Sequence, residues 1–277
     1  MYNNFKICIF VLIVLIMILR YINPYQFYLY MKLGLSATFV LMNIIQYYIF
    51  PQHISKQIYI VLSNIIIWLT NSKIKIHGNT DNLNNNVLIM SNHYDGVIDA
   101  NILYNLHYKY NCDNILYSIV KSTLMCESED TQFILRLMSC IKNGFMNSSY
   151  FIPYKRGDKA DGAVVKNIIV ESIRSNKNIL VFPEGTTHKD VIPKEFKQGI
   201  FQLATENKIK ILPITLKFDK DIGTEKGEPI KILNIFDNEV DVYIHDIIDE
   251  TDECYKANDP VALKNKVFNI ISAPMLV

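Results

Sequence analysis

The chain has 277 residues, half of them hydrophobic, and a net charge of only +1. That length suits one large domain with additional segments, and the near-neutral balance excludes the broad basic face on which nucleic-acid binders rely. Five cysteines, at 8, 112, 126, 140 and 254, form no C-x-x-C pair, which argues against a disulfide framework or a cysteine zinc site and suits a reducing compartment such as the cytosol.

Charge is spread unevenly. Residues 1–72 hold Lys6, Arg20, Lys32 and Lys56 and no Asp or Glu, so residues 73–277 hold 24 Lys and Arg against 27 Asp and Glu, a net of −3. Three apolar runs lie in the first part: Ile7 to Leu19, Leu33 to Phe50 ending at Pro51, and Ile58 to Leu69. The first is shorter than the roughly 20 residues a full span needs, and Tyr21-Ile22-Asn23-Pro24 offers no small-residue cleavage site. Aromatic clusters at Tyr21 to Tyr30 and Tyr47 to Phe50 suit the headgroup layer. Residues 1–72 are therefore expected to form hydrophobic membrane-anchoring helices, without a fixed number of spans, ahead of a globular domain over 73–277.

In that domain, short apolar runs alternate with amphipathic ones. Strands are expected at 73–77, 87–90, 114–120, 150–153, 178–182, 209–216, 231–233 and 240–248, and helices at 98–108, 133–141, 163–174, 197–206 and 260–271. Alternation of this kind implies an α/β fold with a mixed, largely parallel sheet flanked by helices.

Chemistry-bearing residues collect where strands end, the edge at which open α/β sheets bind ligands. After the 87–90 strand come Ser91, Asn92 and His93, with Asp99 in the first turn of the next helix. A carboxylate beside an imidazole fixes its tautomer and stabilises its charged form while it takes a proton from a hydroxyl. After the 150–153 strand come Lys155 and Arg156, suited to an anionic head group because a guanidinium binds phosphate in a bidentate way. After the 178–182 strand come Pro183, Glu184, Gly185 and Thr186, where the glycine allows close backbone approach to an anion. Singly, each has an ordinary reading: a solvated loop histidine, a helix-capping aspartate, solvated cations, a turn. Their coincidence at successive strand ends favours a functional cleft.

The set resembles the glycerolipid acyltransferase family that includes the 1-acylglycerol-3-phosphate acyltransferases. Its N-H-x4-D motif is similar to Asn92, His93 and Asp99; its arginine-bearing second motif to Tyr150 through Arg156, with Gly144 upstream; its F-P-E-G-T-R motif to Phe182 through Thr186; and its proline-centred strand to Ile211-Leu212-Pro213-Ile214. Lys121 and Phe196-Lys197-Gln198-Gly199 also stand where the family has similar residues, and the likeness covers about residues 73–248. It implies transfer of a fatty acyl group from acyl-CoA to a lysophospholipid hydroxyl, with no metal or bound cofactor. His93 would be the general base and Asp99 its orienter. Asn92, Lys155, Arg156, Glu184, Gly185 and Thr186 would form the acceptor site.

Two departures bear on this. Five residues separate His93 from Asp99, where the family has four. On a helix the extra residue turns the carboxylate by about 100°, so the loop absorbs it near Gly96 or Asp95 becomes the orienter. Thr187 stands where the third motif has an arginine, which makes a phosphodiester lysolipid more plausible as acceptor than a phosphate monoester. Expected partners are a lipid bilayer, acyl-CoA and a lysophospholipid, and no nucleic acid. The expected location is an intracellular membrane of endoplasmic-reticulum type, with the catalytic domain on the cytosolic side. The rival readings are a glycerol-3-phosphate-type acyltransferase and a catalytically impaired lipid-binding protein of the same fold. A hydrolase is discounted because no G-x-S-x-G elbow occurs.

Overall fold

The computed structural model describes residues 70–94, 98–110, 116–121, 151–155, 157–223 and 237–276, with Ser63, Asn64, Ile67 and Trp68 ahead of them. The first two apolar runs, most of the third, the expected helix at 133–141 and the expected strand at 231–233 lie outside the described residues. Among the described residues, no helix is long and apolar enough to cross a membrane.

Seven strands form one mixed sheet: β1 (Lys73–Gly78), β2 (Leu88–Ser91), β3 (Leu116–Lys121), β4 (Phe151–Tyr154), β5 (Asn178–Val181), β6 (Ile211–Phe218) and β7 (Glu239–Ile244). Their order is β1-β7-β6-β2-β5-β3-β4. Strands β6, β2, β5, β3 and β4 all pair in parallel, β7 runs antiparallel to β6, and β1 runs parallel to β7. The helices are α1 (Ile98–Lys109), α2 (Lys159–Arg174), α3 (Gly199–Asn207), α4 (Glu253–Lys256) and α5 (Pro260–Ser272).

β2 lies at the centre and all four of its residues are buried. Successive side chains of a strand point to opposite faces, so Leu88 and Met90 enter one core layer while Ile89 enters the other. The first layer joins the sheet to α2, α3 and α5 through Val165, Phe201, Leu263 and Val267. The second joins it to α1 through Ile98, Ile102, Leu103 and Leu106. The outer side of α1 meets the helical residues before β1, where Asn105 Nδ2 donates to Asn64 Oδ1 at 2.8 Å.

Two expected boundaries move for identifiable reasons. α2 begins at Lys159 rather than 163, because Asp158 caps it by accepting from the amides of Ala160 and Asp161. β7 ends at Ile244 rather than 248. In its register Pro213 faces His245 and accepts from its amide at 3.1 Å, but proline has no N–H to return. Pairing resumes one residue out of step, at a bridge between Ile211 and Ile248.

His245 sits beside this break. The Thr215 hydroxyl donates to Ile271 O at 2.8 Å, so toward His245 Nε2, 2.9 Å away, it can only accept. Nε2 therefore carries the proton. Burial lowers the His245 pKa, against a smaller opposing effect of Asp246. A group whose folded pKa is depressed gives stability that is full above its unfolded value, about 6.5, and is lost as pH falls below it. The urea unfolding midpoint should decline on acidification from pH 7.5 to 5, and His245→Gln should flatten that decline.

Candidate active site

β2 and β5 pair in parallel with Met90 opposite Val181. Three residues further along each strand, His93 and Glu184 come side by side just outside the carboxyl edge of the sheet. The His93 amide donates to Glu184 Oε1 at 2.8 Å, and the Lys194 amide donates to Oε2 at 2.8 Å. The His93 carbonyl in turn accepts from the His188 amide at 3.2 Å. The loop after β5 thus grips the His93 peptide from both sides.

The imidazole is held as firmly as its backbone. Phe182 stacks on it with ring centroids 4.0 Å apart and planes 14° from parallel. Asp99 Oδ2 lies 3.1 Å from His93 Nδ1 and also accepts from the Tyr94 amide at 2.5 Å. Asp99 is fully buried, whereas the His93 side chain keeps 16% of its surface exposed. A base whose Nδ1 faces a carboxylate presents Nε2 to its substrate. The additional residue before Asp99 does not turn the carboxylate away, since its Oδ2 still meets His93 Nδ1. Asp95, Gly96 and Val97 lie outside the described residues.

Asn92 has a different place from the one expected. It is fully buried, its Nδ2 donates to Leu216 O at 2.9 Å, and its Oδ1 accepts from the Leu216 amide at 2.8 Å. Its amide thus acts as one more rung of pairing between the end of β2 and β6, and is not open to an acceptor. Glu184 likewise is 1% exposed, and it positions His93 rather than lining open space. Gly185 has φ +70°, and its amide donates to Phe182 O at 2.9 Å. The glycine is needed for the turn, and its own N–H is not available to an oxyanion. Thr186 and Thr187 are half-buried in the same loop.

Lys155 shares the carboxyl edge with His93 but is not its neighbour. β5 and β3 stand between β2 and β4, a separation of roughly 14 Å at the usual strand spacing of about 4.8 Å. Lys155 is exposed; its amide donates to Asp161 Oδ2 at 2.6 Å and its Nζ lies 3.9 Å from Asp158 Oδ2. Arg156 lies outside the described residues. A cavity of about 350 Å³ lined by His245, Asp249 and Lys266 lies beside the first residues of β6, where Ile248 bridges Ile211, and none of these site residues lines it.

Tyr94 belongs to the site although nothing in the sequence marks it. Its hydroxyl donates to Val191 O at 2.7 Å. Burial, reinforced by the charges of Asp99, Glu184 and Asp221, holds its pKa well above the usual tyrosine range. It therefore stays protonated and acts as a fixed donor, not as a base.

An Acyltransferase family model matches residues 73–217. A chloroplastic 1-acyl-sn-glycerol-3-phosphate acyltransferase of Brassica napus is 32% identical over 95 residues, 34% of this chain and 26% of that protein. A 1-acyl-sn-glycerol-3-phosphate acyltransferase of Borreliella burgdorferi is 29% identical over 183 residues, 65% of this chain and 63% of that protein. The match thus spans less than two thirds of either relative. The crystal structure of the 1-acyl-sn-glycerophosphate (LPA) acyltransferase of Thermotoga maritima superposes with a TM-score of 0.57 at 14% identity, over 90% of this chain and 92% of that one. At that identity the likeness is one of fold.

Replacing Asn92 by Ala removes both partners of Leu216 from a dry wall of the site. Leaving a buried backbone group unpaired costs about 1–3 kcal/mol. Urea unfolding of Asn92→Ala should show a loss of that order.

Proposed function

The chain belongs to the acyltransferase family, and on that premise we propose that it moves a fatty acyl group from acyl-CoA to the free hydroxyl of a lysophospholipid at a membrane surface. The observation that carries this reading is the pair at the end of the central strand, with Asp99 Oδ2 3.1 Å from His93 Nδ1. His93 Nε2 takes the proton of the acceptor hydroxyl as its oxygen bonds to the thioester carbonyl carbon. The tetrahedral intermediate collapses, the carbon–sulfur bond breaks, and the departing CoA thiolate takes the proton from the imidazolium. Asp99 steadies the positive ring between these two transfers. No covalent enzyme intermediate is formed, and the chemistry calls for no metal or bound cofactor.

The acceptor is best drawn from the class named by the relatives, 1-acylglycerol-3-phosphate and kindred lysolipids. Thr187, in place of the third motif's arginine, keeps phosphodiester lysolipids in the same range. The phosphate of such an acceptor sits only a few bonds from the reacting hydroxyl. Lys155 and Arg156, which follow β4 in the sequence, are the cations we assign to that phosphate. The apolar, carboxylate-free residues 1–72 suit an anchor to an intracellular membrane of endoplasmic-reticulum type. The lack of a paired-cysteine pattern suits a domain on its cytosolic side.

The test is acyl transfer from labelled oleoyl-CoA to a panel of lysophospholipids by the full chain in membranes or detergent. Removal of a general base typically costs about 10²–10⁴-fold, so His93→Ala should lose activity by that much while remaining folded and membrane-bound. Near-normal turnover in that variant would sink the mechanism. Folded wild-type protein that binds lysolipid but transfers to no acceptor would favour the lipid-binding rival. Asp99→Asn should follow His93→Ala, and Asp95→Asn should stay close to wild type; the reverse order would reassign the orienter. Arg156→Ala should raise KM for the acceptor well above any change in KM for acyl-CoA, and equal rises would remove its head-group role.

A further inference from the structure

We infer that His188 is a positioning residue for the general base, acting on His93 through the buried carboxylate of Glu184. The inference rests on the proposed acyl transfer with His93 as base. His188 and Glu184 side chains are both completely buried, and His188 Nε2 lies 2.9 Å from Glu184 Oε2. The approach falls outside hydrogen-bond alignment, so the ring meets the carboxylate as a close polar contact. The second ring nitrogen, Nδ1, has no hydrogen-bond partner among the described residues. Tyr94 tilts against the ring at 4.7 Å between centroids.

A carboxylate withdrawn from water is costly unless it is paired and hydrogen-bonded. Glu184 has two amide donors, those of His93 and Lys194, and both are neutral. His188 is the polar side chain set against it. Without the ring, Glu184 is left to turn toward water, and that response weakens its hold on the His93 amide. The His188 amide holds the other backbone group of the same residue, 3.2 Å from the His93 carbonyl. One residue thus reaches the base through its own backbone and, by way of Glu184, through its side chain. A base displaced by about 1 Å loses on the order of 10²-fold in rate, and the loss falls on turnover because substrate contacts remain.

The experiment is a double-mutant cycle on the full chain, reading kcat and both KM values. His188→Ala should lower kcat about 10–100-fold with both KM values unchanged, and His188→Gln, which keeps a polar N–H at the same reach, should recover part of the loss. In a Glu184→Gln background no charge needs the ring, so adding His188→Ala should lower kcat by less than about threefold. An equal loss in both backgrounds would make the ring mere packing and overturn the inference, as would a rise in KM in place of the fall in kcat. Modification of His93 by diethyl pyrocarbonate, followed by peptide mass, needs no turnover. It should be faster in His188→Ala than in wild type, and an unchanged rate would overturn the inference even if the wild type transferred to no acceptor.

Discussion

The structure of the site depends on one carboxylate taken out of water. Glu184 is buried at the end of β5, and a carboxyl oxygen there has to find donors close by. It finds the amide of His93 at the end of the neighbouring strand and the amide of Lys194 ten residues along its own loop. Both partners are main chain, so they are fixed by the course of the backbone and not by the rotamer of a long side chain. The requirement of the carboxylate thereby becomes a constraint on where His93 can stand. Asp99 does the corresponding work on the imidazole, with a single oxygen shared between the His93 ring and the Tyr94 amide.

The sheet explains why these demands can be met at one point. β2 lies between β6 and β5 and runs parallel to both, so the residue sequence Asn92-His93-Tyr94 leaves the sheet with a wall on each side. Asn92 is tied to β6 and His93 to the loop after β5, while Tyr94 is tied to helix α1 by Asp99. Three successive residues are therefore anchored to three different elements. Anchoring of this kind fixes the His93 side chain in one position, the pre-organisation that a functional site needs.

The same order of strands limits what the outer cations can do. Lys155 follows β4, the last strand of the sheet, and it interacts with the carboxylates of its own loop and of α2. Residues brought to one edge by a common strand direction are not thereby brought into contact.

Much of this was legible in the amino-acid sequence. The alternation of strands and helices, the short buried run of β2, and the motif residues at strand ends follow from local pattern, because period and burial act over a few residues. The family resemblance rested on the same stretches, and the matching family model spans residues 73–217. What local pattern could not decide was partnership across the chain. That Asn92 and Glu184 hold backbone instead of substrate, and that the amide of Gly185 is closed into its own turn, depends on which strands lie side by side. So does the gap between His93 and Lys155, and the end of β7 where Pro213 cannot donate. His188 and Tyr94 carry no motif and no spacing signal. They acquire meaning only because the tertiary fold sets them against a buried charge. By itself, the sequence determined which residues could do chemistry and at which ends of which elements they would stand. The tertiary structure alone decided which of them meet, because long-range register and burial, not local propensity, choose the partners of a polar group removed from water.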